Sequence, residues 1–228
     1  MDKADIAQSI TPLWPPLNDE QRKSFIEALT VQRCDRNDIL FKPGDPPDYC
    51  YYLVRGKVTI SRQGTAGLQQ IIRMVEPGAL FGYTPAFDDS LRQSLAVASE
   101  GTVVAAIPME LIFKLIWENK DIAFVFIKEL SYLLGVSVRR TMSMTQKHIR
   151  GRLAEILLVM KHKYGVERDG QTLAVYLSRQ DLGQMANMTT SNAIRTLSCF
   201  AQEGLLAIEG RKIRFLDIPG LERISRLG

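Results

Sequence analysis

Residues 178–206 read SRQDLGQMANMTTSNAIRTLSCFAQEGLL, and the side chains in them that can do chemistry are hydrogen-bonding groups, not nucleophiles or acids. Arg195 carries a planar fork of donors that matches a pair of neighbouring acceptors. Asn192 combines one acceptor with two donors, and Ile194 adds an apolar contact. Thr190, Ser191 and Ser198 surround them with short hydroxyls. A second stretch, Gly78–Val97, reads GALFGYTPAFDDSLRQSLAV. Its glycines, aromatic turn and serine have the makings of a rim for a phosphate-holding pocket, lined by Phe81, Gly82, Tyr83, Thr84, Gln93 and Ser94. No acid and no arginine stands where such a pocket would most want one.

Other chemistries lack their parts. His148 and His162 are the only histidines and both lie outside the strand-rich region, so a metal cluster inside a barrel has no imidazole ligands. No nucleophile–base pair with an orienting partner is visible, and no enzyme is expected. Cys34, Cys50 and Cys199 are odd in number and widely spaced, which fits neither a disulfide framework nor a zinc or iron–sulfur ligand set. A reducing, cytoplasmic setting follows. The N-terminal MDKADIAQSI lacks the basic start and apolar run of a signal peptide. No apolar run approaches the roughly 18 residues of a membrane span, so no membrane partner is expected.

Charge is distributed unevenly along the 228 residues. Residues 1–138 hold 14 Lys/Arg and 17 Asp/Glu, a net −3, whereas residues 139–228 hold 15 and 8, a net +7. A mildly acidic front on a basic back points to a polyanion for the C-terminal part alone. An apolar content of 46% is enough for a sizeable core.

The elements that must position these residues follow from periodicity and punctuation. NDEQRKSFIEALT, residues 18–30, predicts a short helix capped by Asn18. From Ile39 to Ile107, short β-rich runs (YCYYLVRG, KVTISR, QQIIRMV, SLAVAS, TVVAAI) alternate with glycine turns at Gly44, Gly56, Gly64, Gly67, Gly78, Gly82 and Gly101. Strands at such spacing indicate a closed sandwich or barrel. MELIFKLIWENK reads as a short helix, and Asp121 to about Gln146 as a long one. Along that helix Ile127, Leu130, Leu134, Ser137, Thr141, Met144 and His148 recur at steps of three and four, a heptad seam suited to pairing with a second copy. GRLAEILLVMKHKYG predicts another helix closed by Gly165, and TLAVYL a short strand.

In residues 178–206, Ser178 followed by Asp181 makes a capping-box-like start, with Leu182, Met185 and Ala186 facing inward. Asn187 suits a left-handed turn residue. Thr189 can cap a second helix whose inner face is Ala193, Leu197 and Phe200 and whose outer face is Thr190, Ser191, Ile194, Arg195 and Ser198. Two short helices around such a turn form a helix-turn-helix, whose second helix enters the DNA major groove. There Arg195 can bond guanine bidentately, Asn192 can reach adenine, and Ile194 suits a thymine methyl. LLAIEGRKIRFLD predicts two strands around Glu209-Gly210, a wing whose Arg211 and Lys212 reach phosphates. The expected DNA contacts are therefore Ser178, Arg179, Gln180, Thr189, Thr190, Ser191, Asn192, Ile194, Arg195, Arg211 and Lys212. A helical hairpin can also hold a protein partner; salt-sensitive binding to duplex DNA separates the two.

The layout as a whole resembles the catabolite activator (cAMP receptor)/FNR family of bacterial transcription regulators. The segments LSRQDLGQMANMTTSNAIRTL, GRLAEILL, YYLVRGKVTI and PGALFG carry the likeness, which covers essentially the full chain. The resemblance implies an α+β chain with an N-terminal double-stranded β-helix, the cyclic-nucleotide-binding-like jelly roll, over residues 1–120. A dimerisation helix at 121–148 and a winged helix-turn-helix at 149–228 follow. It also implies a homodimer, a dyad-symmetric site on double-stranded DNA with half-sites about one helical turn apart, and RNA polymerase as partner. The family's recognition helix usually carries a Glu, with an Arg several positions on. Here Thr190 and Ser191 stand without that acid while Arg195 matches, so the half-site should depart from the common one.

In family members that bind cyclic nucleotides, a Glu holds the ribose and an Arg–Ser pair holds the phosphate. Alignment places Tyr83 at the Glu, Gln93 at the Arg and Ser94 at the Ser. Arg92 lies one residue away, where strand alternation would turn it to the other face unless the loop rearranges. Cyclic AMP is therefore not the expected effector. Haem stays open through His148, Cys34, Cys50 or a Met, and a cyclic-nucleotide- or haem-responsive regulator of the same fold is the alternative. A ligand near Tyr83, Gln93 and Ser137 would act on how the paired long helices pack.

Overall fold

A computed structural model describes residues 2–64, 67–99 and 101–228. The chain forms two compact units, residues 1–67 with 71–134, and 68–70 with 135–228. The division falls inside the long helix, between Leu134 and Gly135, and not at its ends.

The first unit opens with α1 (Lys3–Ser9) and α2 (Asp19–Ala28). Asn18 caps α2 as the sequence predicts, its side chain and that of Gln21 each accepting from the other's backbone N–H. Helix α1 is not foreseen in the sequence; it buries Ile6 and Ala7. Eight strands follow: β1 (Thr30–Cys34), β2 (Ile39–Phe41), β3 (Tyr49–Arg55), β4 (Val58–Gln63), β5 (Gln69–Val75), β6 (Leu80–Phe81), β7 (Leu95–Ala98) and β8 (Thr102–Pro108). They form two four-stranded sheets, ordered β1-β8-β3-β6 and β2-β7-β4-β5. Two facing sheets fit the sandwich expected from the glycine-punctuated runs, and the arrangement is the double-stranded β-helix that the resemblance implies.

Alternation along β3 and β8 divides the core in two. Tyr51, Leu53, Val104 and Ala106 face into the roll with Phe41, Val58, Phe81 and Ala96. Cys50, Tyr52, Ala105 and Ile107 face outward, where α1, α2, α3 (Met109–Glu118) and the start of α4 (Lys120–Gln146) cover them. Ile122 and Phe126 on α4 are buried in that outer layer. Tyr52 fastens the layer by donating its hydroxyl to the Ser9 carbonyl at 2.6 Å. At Gly56 (φ +92°) an added Cβ would lie 2.5 Å from Thr102 Oγ1, so this turn between β3 and β4 requires glycine.

The second unit contains α5 (Ile149–Tyr164), α6 (Arg179–Met185), α7 (Thr190–Gln202), a β9 (Leu206–Glu209) and β10 (Lys212–Phe215) hairpin, and α8 (Ile218–Leu227). Gly165 ends α5 with a positive φ, as read from the sequence. The strand expected over 172–177 is reduced to isolated bridges, Thr172 to Arg214 and Leu173 to Val166. Asp169 is the physical reason. Its carboxylate accepts from the Gln171 and Thr172 N–H groups and the Thr172 hydroxyl, curling the chain into a turn. His148 corrects the expected seam: it is the N-cap residue of α5, outside α4.

Candidate nucleic-acid interface and sensor interior

The helical hairpin is built by local capping. Ser178 and Asp181 make a reciprocal capping box at α6, with bonds of 3.0 and 2.9 Å. Asn187 takes φ +50° in the turn. Thr189 caps α7 by accepting from the Asn192 N–H at 3.2 Å. Glycine also matters here, since a Cβ on Gly183 would sit 3.0 Å from the Met188 carbonyl oxygen. Helix α7 buries Ala193, Thr196, Leu197 and Phe200 and leaves Thr190, Ser191, Ile194, Arg195 and Ser198 exposed. The Arg195 Nη2 donates to Asn192 Oδ1 at 3.0 Å.

Two arginines that sequence reasoning passed over hold this hairpin. Arg152 on α5 donates from Nε to the Ala186 carbonyl (3.0 Å), from Nη2 to Asn187 (3.2 Å) and from Nη1 to Lys147 (3.3 Å). Arg140 on α4 donates to the Met185 carbonyl at 3.2 Å. The C-terminal carbonyls of α6 are orphaned by helix geometry, and a guanidinium satisfies them well. Arg152→Ala is expected to cost about 1–3 kcal/mol of stability in the second unit, read as an earlier chemical-denaturation transition. It should also weaken binding to every DNA sequence together, because the turn rather than the reading surface is loosened.

The wing turns at Gly210 (φ +57°), leaving Arg211 and Lys212 exposed. Arg179, placed among the DNA contacts by sequence, is half-buried and donates to the Gly210 carbonyl at 2.7 Å. Its guanidinium ties α6 to the wing, and the burial lowers its pKa. Ser178 and Thr189 spend their hydroxyl oxygens on capping, whereas Gln180 is exposed. Arg150 and Glu203 form a bidentate pair, both bonds 2.7 Å, with Arg150 over the Phe200 ring.

The sensor residues do not converge as the sequence suggests. Phe81 lies in the roll core beside Tyr51, ring centroids 5.4 Å apart. Tyr83 is fully buried in the outer layer, edge-on to Phe126 at 5.2 Å and Phe87 at 6.2 Å. Burial, with Glu129 nearby, pushes its phenol well above the usual range. Thr84 is exposed at the start of a 3-10 turn (Thr84–Phe87), Ser94 is half-buried, and Ser137 is exposed in the second unit. Gln93 is exposed and bonds Arg62.

Arg92 corrects the expectation drawn from strand alternation. Residues 91–93 precede β7 and are not extended as a strand, so the two-residue period does not apply. Arg92 is therefore buried, at 3% exposure. Its Nη1 donates to the Gly82 carbonyl (2.6 Å), Nη2 to Tyr49 (2.8 Å) and Nε to Pro46 (3.2 Å). The guanidinium carbon lies 4.1 Å from the Phe41 ring centroid and 5.7 Å from that of Tyr51. Burial lowers its pKa, partly offset by Tyr51, Asp45 and Asp48. The other candidate ligands are scattered: Cys50 is buried in the outer layer with its thiol raised by burial, and Cys34 lies in the roll core.

Helix α4 carries exposed apolar side chains at Phe124, Ile127, Leu134, Val138 and Met142. This stripe departs from the expected seam. Leu130 is half-buried against the outer core, and Met144 is half-buried and accepts from Gln70. Ile127, Leu134, Ser137 and Thr141 remain exposed, Thr141 donating to its own helix at the Ser137 carbonyl.

A closed β-roll and a capped helix-turn-helix with a basic wing define a DNA-binding transcription regulator. Residues 31–119 match the model of the cyclic nucleotide-binding domain, and residues 151–224 that of the Crp-like helix-turn-helix domain. The chain belongs to the CRP/FNR family. It is 24% identical over 208 residues to a CRP-like cAMP-activated global transcriptional regulator of Mycobacterium tuberculosis, covering 89% of this chain and 93% of that one. Among solved structures, FixK2 from Bradyrhizobium japonicum shares the fold with a TM-score of 0.76 at 22% identity, covering 86% of this chain and 97% of that one. The c-di-GMP responsive global regulator CLP of Xanthomonas campestris does so with a TM-score of 0.73 at 19% identity, covering 88% and 100%.

Proposed function

We propose that the chain acts in the cytoplasm as a homodimer that reads a dyad-symmetric site on double-stranded DNA and reports to RNA polymerase, without cyclic AMP as effector. The outward face of α7 carries this reading: its exposed hydroxyls, Ile194 and Arg195 stand opposite a largely apolar buried face of Ala193, Leu197 and Phe200 with Thr196. Such a face has no packing role in the second unit and offers the groups that base edges recognise. Exposed Arg211 and Lys212 supply phosphate contacts that carry no sequence information. The stripe Phe124, Ile127, Leu134, Val138 and Met142 supplies the pairing surface.

Footprinting on fragmented genomic DNA with the purified chain finds the site; anisotropy on that duplex then measures affinity against salt, with and without cyclic AMP, cyclic GMP and haem. Sequence-selective binding that weakens steeply with salt supports the reading, and salt-independent or non-selective binding defeats it. Arg211→Ala should weaken all duplexes alike and lower the salt slope by about 1 per wing.

A further inference from the structure

The interior of the β-roll is occupied by the protein itself. Arg92 touches two separate stretches of chain: its guanidinium nitrogens reach the carbonyls of Pro46 and Tyr49 in one and of Gly82 in the other. Its own backbone is fastened to the first of these stretches as well. Arg92 N–H donates to the Asp45 carbonyl at 3.0 Å, and the Arg92 carbonyl accepts from Gly44 at 2.8 Å. Each nitrogen of the fork is thus engaged, and its faces lie against Phe41 and Tyr51. Gly82 (φ +79°) is required for this approach, because a Cβ there would stand 3.0 Å from Arg92 Nη1, Phe41 and Tyr51 alike.

We propose that Arg92 is a built-in occupant of the sensor: an internal guanidinium clamp that fixes the loops around residues 44–49 and 82, its own charge already engaged and so withheld from an anionic effector. The surroundings argue for it. Carbonyl oxygens and aromatic faces are negative surfaces, matched to a planar cation and hostile to a phosphate. An anion entering here would have to strip the guanidinium of three hydrogen bonds and two ring contacts before gaining one partner. The inference deepens the reading of this domain as a sensor that takes no cyclic nucleotide, and rests on it.

Arg92→Ala removes the clamp and leaves a space lined by three carbonyls and two rings, which fits a small planar cation. The full-length variant should melt roughly 5–10 °C below wild type. Millimolar methylguanidinium should restore much of that loss and methylammonium should not. Arg92→Lys keeps the charge but concentrates its donors on one nitrogen, which cannot span carbonyls that three separate guanidinium nitrogens reach, so it too should melt several degrees low; should the alanine variant fail to fold, this comparison decides. Wild type titrated calorimetrically with inorganic phosphate, cyclic AMP and cyclic GMP should show no binding heat. Wild-type melting of both variants, or an alanine variant indifferent to methylguanidinium, overturns the clamp. Anion binding by wild type that is lost in Arg92→Lys would make Arg92 an anion receptor instead. The melting readout involves no DNA, so failure of the DNA-binding proposal leaves it intact.

Discussion

Arg195→Ala is expected to flatten discrimination between the operator and scrambled DNA while leaving non-specific binding nearly unchanged. The side chain is exposed on α7 and is not among that helix's buried residues, so its removal should not disturb the fold. Each bidentate guanine contact contributes about 1–3 kcal/mol of discrimination. A dimer uses two, so the preference should fall by about 2–6 kcal/mol, roughly 30-fold to 20,000-fold. Competition anisotropy with single-base operator variants checks it. An operator preference that survives the substitution would place base reading elsewhere on the head.

If the chain pairs as proposed, Leu134→Asp is expected to leave it monomeric. Leu134 is 66% exposed on α4, in the middle of the stripe from Phe124 to Met142. At a twofold seam the substitution sets two carboxylates near each other in a desolvated contact. Like charges so placed cost several kcal/mol, which raises the dimer dissociation constant by roughly 100-fold or more. Sedimentation velocity reads the change directly. Operator affinity should fall about as steeply, since one half-site contact no longer tethers the other. Val138→Asp should behave alike, because Val138 lies on the observed stripe though not on the seam read from the heptad. A chain that is monomeric at every concentration before substitution would refute the pairing.

Much of the architecture is legible in the sequence because local signals decide it. The Asn18 and Ser178 caps, the Asn187 turn and the Gly165 stop are set by one or two side chains each, and each is where the sequence places it. The roll announces itself through short β-rich runs and glycines with positive φ. The sensor interior is not legible in this way. Whether Arg92 or Gln93 points inward depends on whether the strand has begun, and it begins only at Leu95. The α4 stripe shifts for a related reason: heptad steps fit several faces of a helix, and only the packing of Leu130 onto the outer core selects among them. Arg152 and Arg140 stand far along the chain from the turn that they hold, so no local pattern marks them.

The bond between Arg195 and Asn192 has a consequence for which bases suit this surface. With the amide oxygen of Asn192 accepting from the guanidinium, that side chain keeps its NH2 group to donate, whereas Ser198, its proton given to the Ile194 carbonyl, is left an acceptor. Arg195 and Asn192 therefore weight the middle of the α7 face toward hydrogen donors, the hydroxyls beside them are the only acceptors, and no carboxylate stands among residues 190–198. A palette of that kind seeks the lone pairs of guanine N7 and O6 and of thymine O4. To the amino group of cytosine it offers hydroxyl oxygens alone.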